Sequence, residues 1–280
     1  MTVLLNGKIV SQMILNAVID EVSGLEKAPC LSTIIVGDDP ASKAYVARKK
    51  KVCEKVGIRP EVYHLSKDSS QKDIEDVVKE LNENDEVTGI LVQSPLPKHI
   101  DKYAVSDLID PLKDVDCFNS YNVLRLYRGQ ECLEPCTPKG ILSLLKYYQI
   151  QTEGKYVVIV GDSDIVGKPL SLMLGEGRGD ATVTVCHKAT QDLKKYTSLA
   201  DILVSAAGEP YLIKDDMVKD QAVVIDVGMN WYNSSLVGDV DFEFVKRKAS
   251  YITPVPGGVG PMTVASLVEN VLKAYKLQNH

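Results

Sequence analysis

No apolar run in this chain approaches the roughly 20 residues that a membrane-spanning helix requires. Its first residues also lack the basic stretch and apolar core of a secretion signal. These absences lead us to expect a cytoplasmic protein with no membrane partner. Any CxxC pair is missing too: the six cysteines (Cys30, Cys53, Cys117, Cys132, Cys136 and Cys186) are scattered. Cys132 and Cys136 stand four apart, but no histidine lies near them to complete a ligand set. No metal site is therefore read, and all six are expected as reduced thiols. An excess of positive charge is likewise absent, with 32 Lys and Arg against 38 Asp and Glu and a formal net charge of −6. The one dense basic cluster, Arg48-Lys49-Lys50-Lys51, is too small to reverse that balance, so no nucleic-acid partner is expected.

What is present is ordinary soluble-protein material: 280 residues, 45% hydrophobic and 25% charged, enough for one large or two modest domains. Strand-like and helix-like stretches alternate almost throughout. In the first half, strands are read at Leu31 to Val36, Glu61 to Leu65 and Gly89 to Val92, with helices at Ala41 to Val56, Gln71 to Asn82 and Tyr103 to Ile109. A break around Glu134-Pro135-Cys136-Thr137-Pro138 precedes a helical stretch, Lys139 to Tyr148. Strands then follow at Tyr156 to Val160, Ala181 to Cys186, Ile202 to Ser205, Ala222 to Val227 and Tyr251 to Val255. Such alternation predicts an α/β fold with parallel sheets, and the spacing in the second half is that of a doubly wound dinucleotide-binding domain. We expect residues 1–138, with a C-terminal helix over 262–280, to form one α/β domain, and 139–261 a Rossmann-type domain.

Three segments carry chemistry. The first is Pro256-Gly257-Gly258-Val259-Gly260-Pro261-Met262-Thr263-Val264, between a strand and a helical pattern that begins at Met262. So much glycine and proline argues against helix or central strand and for a rigid, bare backbone that a flat ligand can approach, or for a tight turn with no ligand. The second is Gly161-Asp162-Ser163-Asp164-Ile165-Val166-Gly167, which follows an apolar strand and precedes a helix at Pro169. There, backbone N–H groups and a helix dipole suit a pyrophosphate, although GxSxxxG is not the GxGxxG fingerprint. Gly208 and Gly228 end two later strands, where a dinucleotide would lie. Asp162 would repel a 2′-phosphate or accept a bond from a free ribose hydroxyl, whereas Lys188 could pair with a 2′-phosphate. The balance leans to NADP and leaves NAD possible.

The third is the helix holding Tyr45 and Lys49, which at i and i+4 share one face. The ring can stack on a planar ligand while a desolvated amine, its pKa lowered, moves a proton. An amphipathic helix with solvated lysines is the alternative. Gln93 ends an apolar strand ahead of Pro95 and Pro97, and Asp116 in Lys113-Asp114-Val115-Asp116 could bind an amino-pyrimidine edge; either could be structural instead.

These pieces together resemble the methylenetetrahydrofolate dehydrogenase/cyclohydrolase family. The similarity runs in order through Val36 to Ser42 with Tyr45-Val46 and Lys49, and Gly89 to Gln93 with Pro95-Leu96-Pro97. It continues through Lys113 to Asp116, Pro135 to Pro138, Gly161 to Gly167 with Pro169, Ala181 to Thr184 with Cys186-His187, and Thr253 to Val264. The resemblance implies a two-domain, homodimeric enzyme that oxidises 5,10-methylenetetrahydrofolate with NADP and hydrolyses the methenyl product to 10-formyltetrahydrofolate. It implies Lys49 as general acid/base, Tyr45 as the stacking ring, Gln93 as the lysine's partner and Asp116 as the pterin holder. Pro256, Gly257 and Gly258 would flank the folate. Gly161, Ser163, Lys188, Gly228 and Met229 would contact the dinucleotide, and Asp162, Ile165, Val166, Gly208 and Thr263 complete that expected set. The chain departs from the family pattern at Ser94 (usually leucine), Cys117 and Leu124 (usually glycine), Asp162 (often arginine) and Lys188 (often serine). Alternatives are a monofunctional dehydrogenase of this or the shikimate type, or a nucleotide-sensing module that catalyses nothing.

Overall fold

A computed structural model describes residues 1–279. In chain order the elements of the first half are β1 (Val3–Leu4), α1 (Gly7–Ser23), β2 (Cys30–Val36), α2 (Pro40–Lys55), β3 (Arg59–Leu65), α3 (Gln71–Glu83), β4 (Gly89–Val92), α4 (Lys102–Leu108) and α5 (Ser120–Tyr127). The second half comprises α6 (Cys136–Tyr147), β5 (Tyr156–Val160), α7 (Gly167–Leu174), β6 (Thr182–Cys186), α8 (Leu193–Thr197), β7 (Ile202–Ser205), β8 (Val223–Asp226), β9 (Asn230–Tyr232), β10 (Ser235–Val237), α9 (Phe242–Val245), β11 (Tyr251–Ile252) and α10 (Val259–Gln278). The chain divides into two compact units. One holds Gln12–Cys136 and the C-terminal stretch from Val264; the other holds Met1–Ser11 and Thr137–Thr263. We call them the Lys49 unit and the Gly161 unit.

In the Gly161 unit six strands lie in the order β1-β11-β8-β7-β5-β6, and every pairing is parallel. Parallel strands are covered on both faces, which is why β5 reads as an unbroken apolar run, Tyr-Val-Val-Ile-Val, buried from its second residue onward. The winding reverses at β5: β6 lies on one side and β7 on the other. The crevice outside the carboxyl ends of β5 and β7 is thus the topological switch point, where open α/β sheets bind ligands.

The first eleven residues were expected with the rest of the N-terminal half, but they belong to the Gly161 unit. Val3 N–H donates to Ser250 O at 2.8 Å and Leu5 N–H to Ile252 O at 2.9 Å, so β1 extends the sheet edge left open by β11. A two-residue strand has no readable periodicity; only its distant partner reveals it.

The Lys49 unit has a three-stranded parallel sheet, β3-β2-β4. Its core joins Leu15, Val18 and Val22 of α1 and Leu31 of β2 to Val268, Val271 and Leu272 of α10. Polar side chains are set into this apolar layer too. Asn270, fully buried, donates from Nδ2 to Val115 O at 2.8 Å and Glu134 O at 2.6 Å. Asn270→Ala would take the amide donor from both carbonyls, of which Val115 O keeps only the weak Cys136 Sγ contact at 3.4 Å, and losing a donor to a buried polar group costs about 1–3 kcal/mol. We therefore expect a loss of about 2 kcal/mol or more, measured as a lower urea midpoint at unchanged slope.

Three helices begin earlier than proline content suggests. Pro138, Pro169 and Pro261 are each the third residue of their helix, since α6, α7 and α10 start at Cys136, Gly167 and Val259. First-turn N–H groups have no intrahelical acceptor, so proline's missing donor costs nothing there. The reading of Val259-Gly260-Pro261 as non-helical is corrected on that ground. Helix α1 was not anticipated because its apolar residues do not form one stripe: Ile9 and Met13 are exposed, while Val10, Leu15 and Val18 are buried.

Candidate active site

Helix α2 starts where Asp39 caps it: the side chain accepts from Ser42 N–H at 2.7 Å, and Pro40 opens the first turn. That fixes the helix phase and points Tyr45 and Lys49 to one side. Lys49 is 6% exposed, and its Nζ donates to Gln93 Oε1 at 3.0 Å. The Gln93 amide is held in turn, because its Nε2 donates to Ser94 O at 2.7 Å and its backbone N–H to Ile34 O at 2.8 Å. With Nε2 engaged, Oε1 is the atom left for the lysine. Lys49 Nζ also lies 4.6 Å from the Tyr45 ring centroid.

Desolvation dominates the electrostatics. Burial lowers the Lys49 pKa from the ordinary lysine value, and the Asp116 carboxylate opposes that shift without cancelling it. Burial, reinforced by Asp116, pushes the Tyr45 phenol up, so the ring stays neutral. Asp116 itself is half-buried and accepts no hydrogen bond from the described residues. The arrangement is an amine poised to exchange a proton, a ring beside it, and a carboxylate with its acceptor capacity unspent.

The loop carrying Asp116 is pinned from both ends. Lys113 Nζ donates to the carbonyls of Leu81, Asn82 and Asn84 at 2.8–3.1 Å, closing the end of α3. The Asp114 carboxylate, pushed up to about 6 by burial, accepts from Phe118 N–H, Asn119 N–H and Asn122 Nδ2. Cys117 adopts φ 61°, the left-handed region that favours the glycine usual at this position in the resembling family. Cys117 stands out in the sequence only as a departure from the family pattern, and the supporting roles of Lys113 and Asp114 are not legible there, where they look like any solvated charged pair.

In the Gly161 unit, Gly161 ends β5 with φ 118°, and a Cβ there would lie 2.3 Å from Ala206 O. A Cβ on Gly167 would lie 1.9 Å from Gly161 O. Both glycines let backbone pass backbone, so that the N-terminus of α7 closes over the end of the strand. No side chain caps α7. Ser163 Oγ instead accepts from Val166 N–H at 3.2 Å within the loop, while Asp162 and Ile165 are exposed. An uncapped helix start beside bare backbone is a site for an anionic phosphate. Lys188 is exposed two residues past β6, in a turn closed by Thr190 N–H donating to His187 O at 2.8 Å. Its strand neighbours β5, with Val160 opposite Cys186.

Gly208, Gly228 and Met229 follow the next two strand ends, with Gly208 and Met229 exposed and Gly228 buried. Thr263 Oγ1 shares a hydrogen bond with Thr137 Oγ1 at 3.0 Å on the first turns of α10 and α6. In the proline-glycine turn, Pro256 is exposed but Gly257 and Gly258 are buried. A Cβ on Gly7 would lie 1.8 Å from Gly258 O, and one on Gly258 would lie 2.7 Å from Pro254 O. The chain's own close approach at Gly7 therefore already requires bare backbone here.

A doubly wound unit with an uncapped helix start at its switch point, and a second α/β unit with a desolvated lysine, are the parts that a dinucleotide-dependent enzyme needs. Comparison narrows the class. Residues 5–116 match the catalytic domain of the tetrahydrofolate dehydrogenase/cyclohydrolase family, and 135–279 match its NAD(P)-binding domain. The bifunctional protein FolD of Aquifex aeolicus is 52% identical over 99% of this chain and 96% of its own length. The crystal structure of the bifunctional FolD methylenetetrahydrofolate dehydrogenase/cyclohydrolase from Campylobacter jejuni superposes with a TM-score of 0.96 at 48% identity, covering 99% of each chain. The Trypanosoma brucei dehydrogenase-cyclohydrolase, solved with NADP cofactor and an inhibitor, gives 0.95 at 39% identity over 100% of this chain and 99% of that one. This chain belongs to the tetrahydrofolate dehydrogenase/cyclohydrolase family, and the shikimate-type and non-enzymatic alternatives fall away.

Proposed function

We propose that the chain oxidises 5,10-methylenetetrahydrofolate with NADP to the methenyl form and hydrolyses that product to 10-formyltetrahydrofolate. The observation that carries this reading is the buried Lys49 amine, held by Gln93 and deprived of water. The methenyl carbon is cationic, so a neutral amine can take a proton from attacking water and pass it to the ring nitrogen as the carbon–nitrogen bond opens, while the second water proton leaves to solvent as the formyl C=O forms. Gln93 Oε1 accepts a hydrogen from the amine in either protonation state, which keeps Nζ aimed throughout. Tyr45 stacks on the pterin, Asp116 accepts from its amino-pyrimidine edge, and the backbone at Pro256, Gly257 and Gly258 flanks the folate.

The dinucleotide fits the Gly161 unit, because the close backbone approaches at Gly161 and Gly167 bring an uncapped α7 N-terminus to the end of β5. When bound, NADP is the hydride acceptor. Gly161, Asp162, Ser163, Ile165 and Val166 wrap the phosphates; Gly208, Gly228, Met229 and Thr263 line the remaining strand ends. Lys188 reads the 2′-phosphate. Lys188→Ala is expected to raise KM for NADP by about tenfold, the scale of one charge-assisted contact, with KM for NAD unchanged. Equal effects on both would remove that role.

The reading also places the enzyme in the cytoplasm as a homodimer. Exposed Trp231 and Tyr232 on β9 support the second part of that reading. Its 10-formyl product suits the formyl transfers of purine synthesis. One steady-state assay tests the core claim: methylenetetrahydrofolate supplied with NADP and, in parallel, NAD, following reduced nicotinamide and then the decay of the methenyl chromophore. Reduction without methenyl decay would leave a monofunctional dehydrogenase.

A further inference from the structure

Two buried carboxylates that the reaction does not use lie behind the carboxyl ends of β7 and β8. Asp239 is 0% exposed and Asp226 3%. Asp226 Oδ1 accepts from the backbone N–H groups of Gly228 at 3.0 Å and Asp239 at 2.9 Å, and its Oδ2 accepts from Val240 N–H at 3.0 Å. Asp239 Oδ2 accepts from Ala207 N–H at 2.7 Å, Gly208 N–H at 3.2 Å and Ser205 Oγ at 3.2 Å. Its Oδ1 accepts from Glu209 N–H at 3.0 Å and Asn230 Nδ2 at 2.9 Å. One side chain thus gathers three consecutive N–H groups of the turn after β7 and the first residue of β9. A second carboxylate holds the backbone of the first.

Both flanking glycines exist for these acids. A Cβ on Gly228 would lie 2.1 Å from Asp239 Oδ1, and one on Gly238 would lie 1.8 Å from Asp226 Oδ2. Gly228 therefore owes its missing side chain to the carboxylate behind it, and Gly208 already spends its N–H inward. Sequestering two carboxylates from water is costly before their hydrogen bonds offset it. A single carbonyl could close an ordinary turn without that cost. What the acids achieve is shape at the strand ends: the 207–209 turn and the Gly228–Asn230 segment are locked to one another across more than twenty residues of chain.

We propose that Asp239, braced by Asp226, is a positioning residue for the dinucleotide, holding the strand-end turns in the form that receives it. The proposal rests on the assignment of this unit to NADP.

Asp239→Asn keeps the shape but replaces one acceptor oxygen with donors that face backbone N–H groups. Titration calorimetry of the full-length protein with NADP alone should show affinity reduced by about tenfold or more, a loss in keeping with one or two misplaced contacts. Steady-state assays should show KM for NADP raised with dehydrogenase kcat nearly unchanged, and methenyl hydrolysis measured without dinucleotide at the wild-type level. NADP affinity equal to wild type would overturn the proposal. If Asp239→Asn fails to fold, losing hydrolysis as well, Asn230→Ala decides. That variant removes one outer donor from the same carboxylate; weakened NADP binding with intact hydrolysis upholds the role, and unchanged binding overturns it. Wild-type protein that binds NAD and not NADP would overturn the cofactor choice alone, and the same variants titrated with NAD would still test Asp239.

Discussion

Replacing Lys49 with alanine is expected to reduce methenyl hydrolysis by about 10²- to 10⁴-fold, the usual contribution of a positioned general acid/base. The fold should survive, because the lysine is an electrostatic cost to it. Burial lowers the Lys49 pKa in the folded state. Between that depressed value and the ordinary lysine value the unfolded chain binds more protons than the folded one. Stability therefore rises with pH through this window, and the cost of the buried ammonium is fully present below it. Lys49→Met, which keeps the stem and removes the charge, should accordingly melt higher than wild type near neutral pH, with the difference narrowing as the pH climbs toward the lysine range. Hydrolysis in the wild type should rise with pH along a limb set by the lowered pKa, and that limb should vanish in Lys49→Met. A variant that hydrolyses at the wild-type rate would end the assignment of this amine. One that is inactive and also melts lower would show that the side chain serves packing instead.

Much of this site is legible in the sequence, and the division between what is and what is not follows from range. β4, β5 and β7 lie where their apolar runs place them, at Gly89–Val92, Tyr156–Val160 and Ile202–Ser205, because a buried parallel strand has no polar face to blur its ends. The pairing of Tyr45 with Lys49 is local, one helical turn, and follows from the phase set by Asp39 and Pro40. The desolvation that makes Lys49 useful is not local. The amine's partner Gln93 is 44 residues away, and the Asp116 carboxylate that opposes the shift lies on a later loop. Asn270 lies 155 residues from the carbonyl of Val115 that it holds, and Asp239 lies 32 from Ala207. Buried acceptors such as Asp226 and Asp239 look like solvated surface acids in a sequence. Their one local trace is a glycine beside each, at 228 and 238, and that trace also fits a ligand's approach.

Gly161→Ala should produce the complementary defect to Lys49→Ala. The residue sits at φ 118°, a region that costs an alanine about 1–3 kcal/mol in backbone strain alone. Its new Cβ would lie 2.3 Å from Ala206 O and 2.7 Å from Ala206 C. Those are backbone atoms, so no side-chain rotation relieves the overlap. Ala206 cannot retreat freely either, since its N–H donates to Val160 O at 2.7 Å and the β5–β7 ladder ends there. The least costly response is to push the loop outward, opening the gap between Gly161 and Gly167 that the α7 N-terminus now closes. Displacing those N–H groups by about 1 Å is enough to cost about 10²-fold in a step that depends on their placement. Dehydrogenase kcat/KM for NADP should fall by at least that factor, and calorimetry should show NADP affinity falling with it. Hydrolysis should fall far less, because Lys49, Gln93, Tyr45 and Asp116 all belong to the other unit. Equal loss of both activities would mean that strain at β5 spreads through the whole chain, whereas full NADP affinity would mean that the cradle is not where the dinucleotide binds.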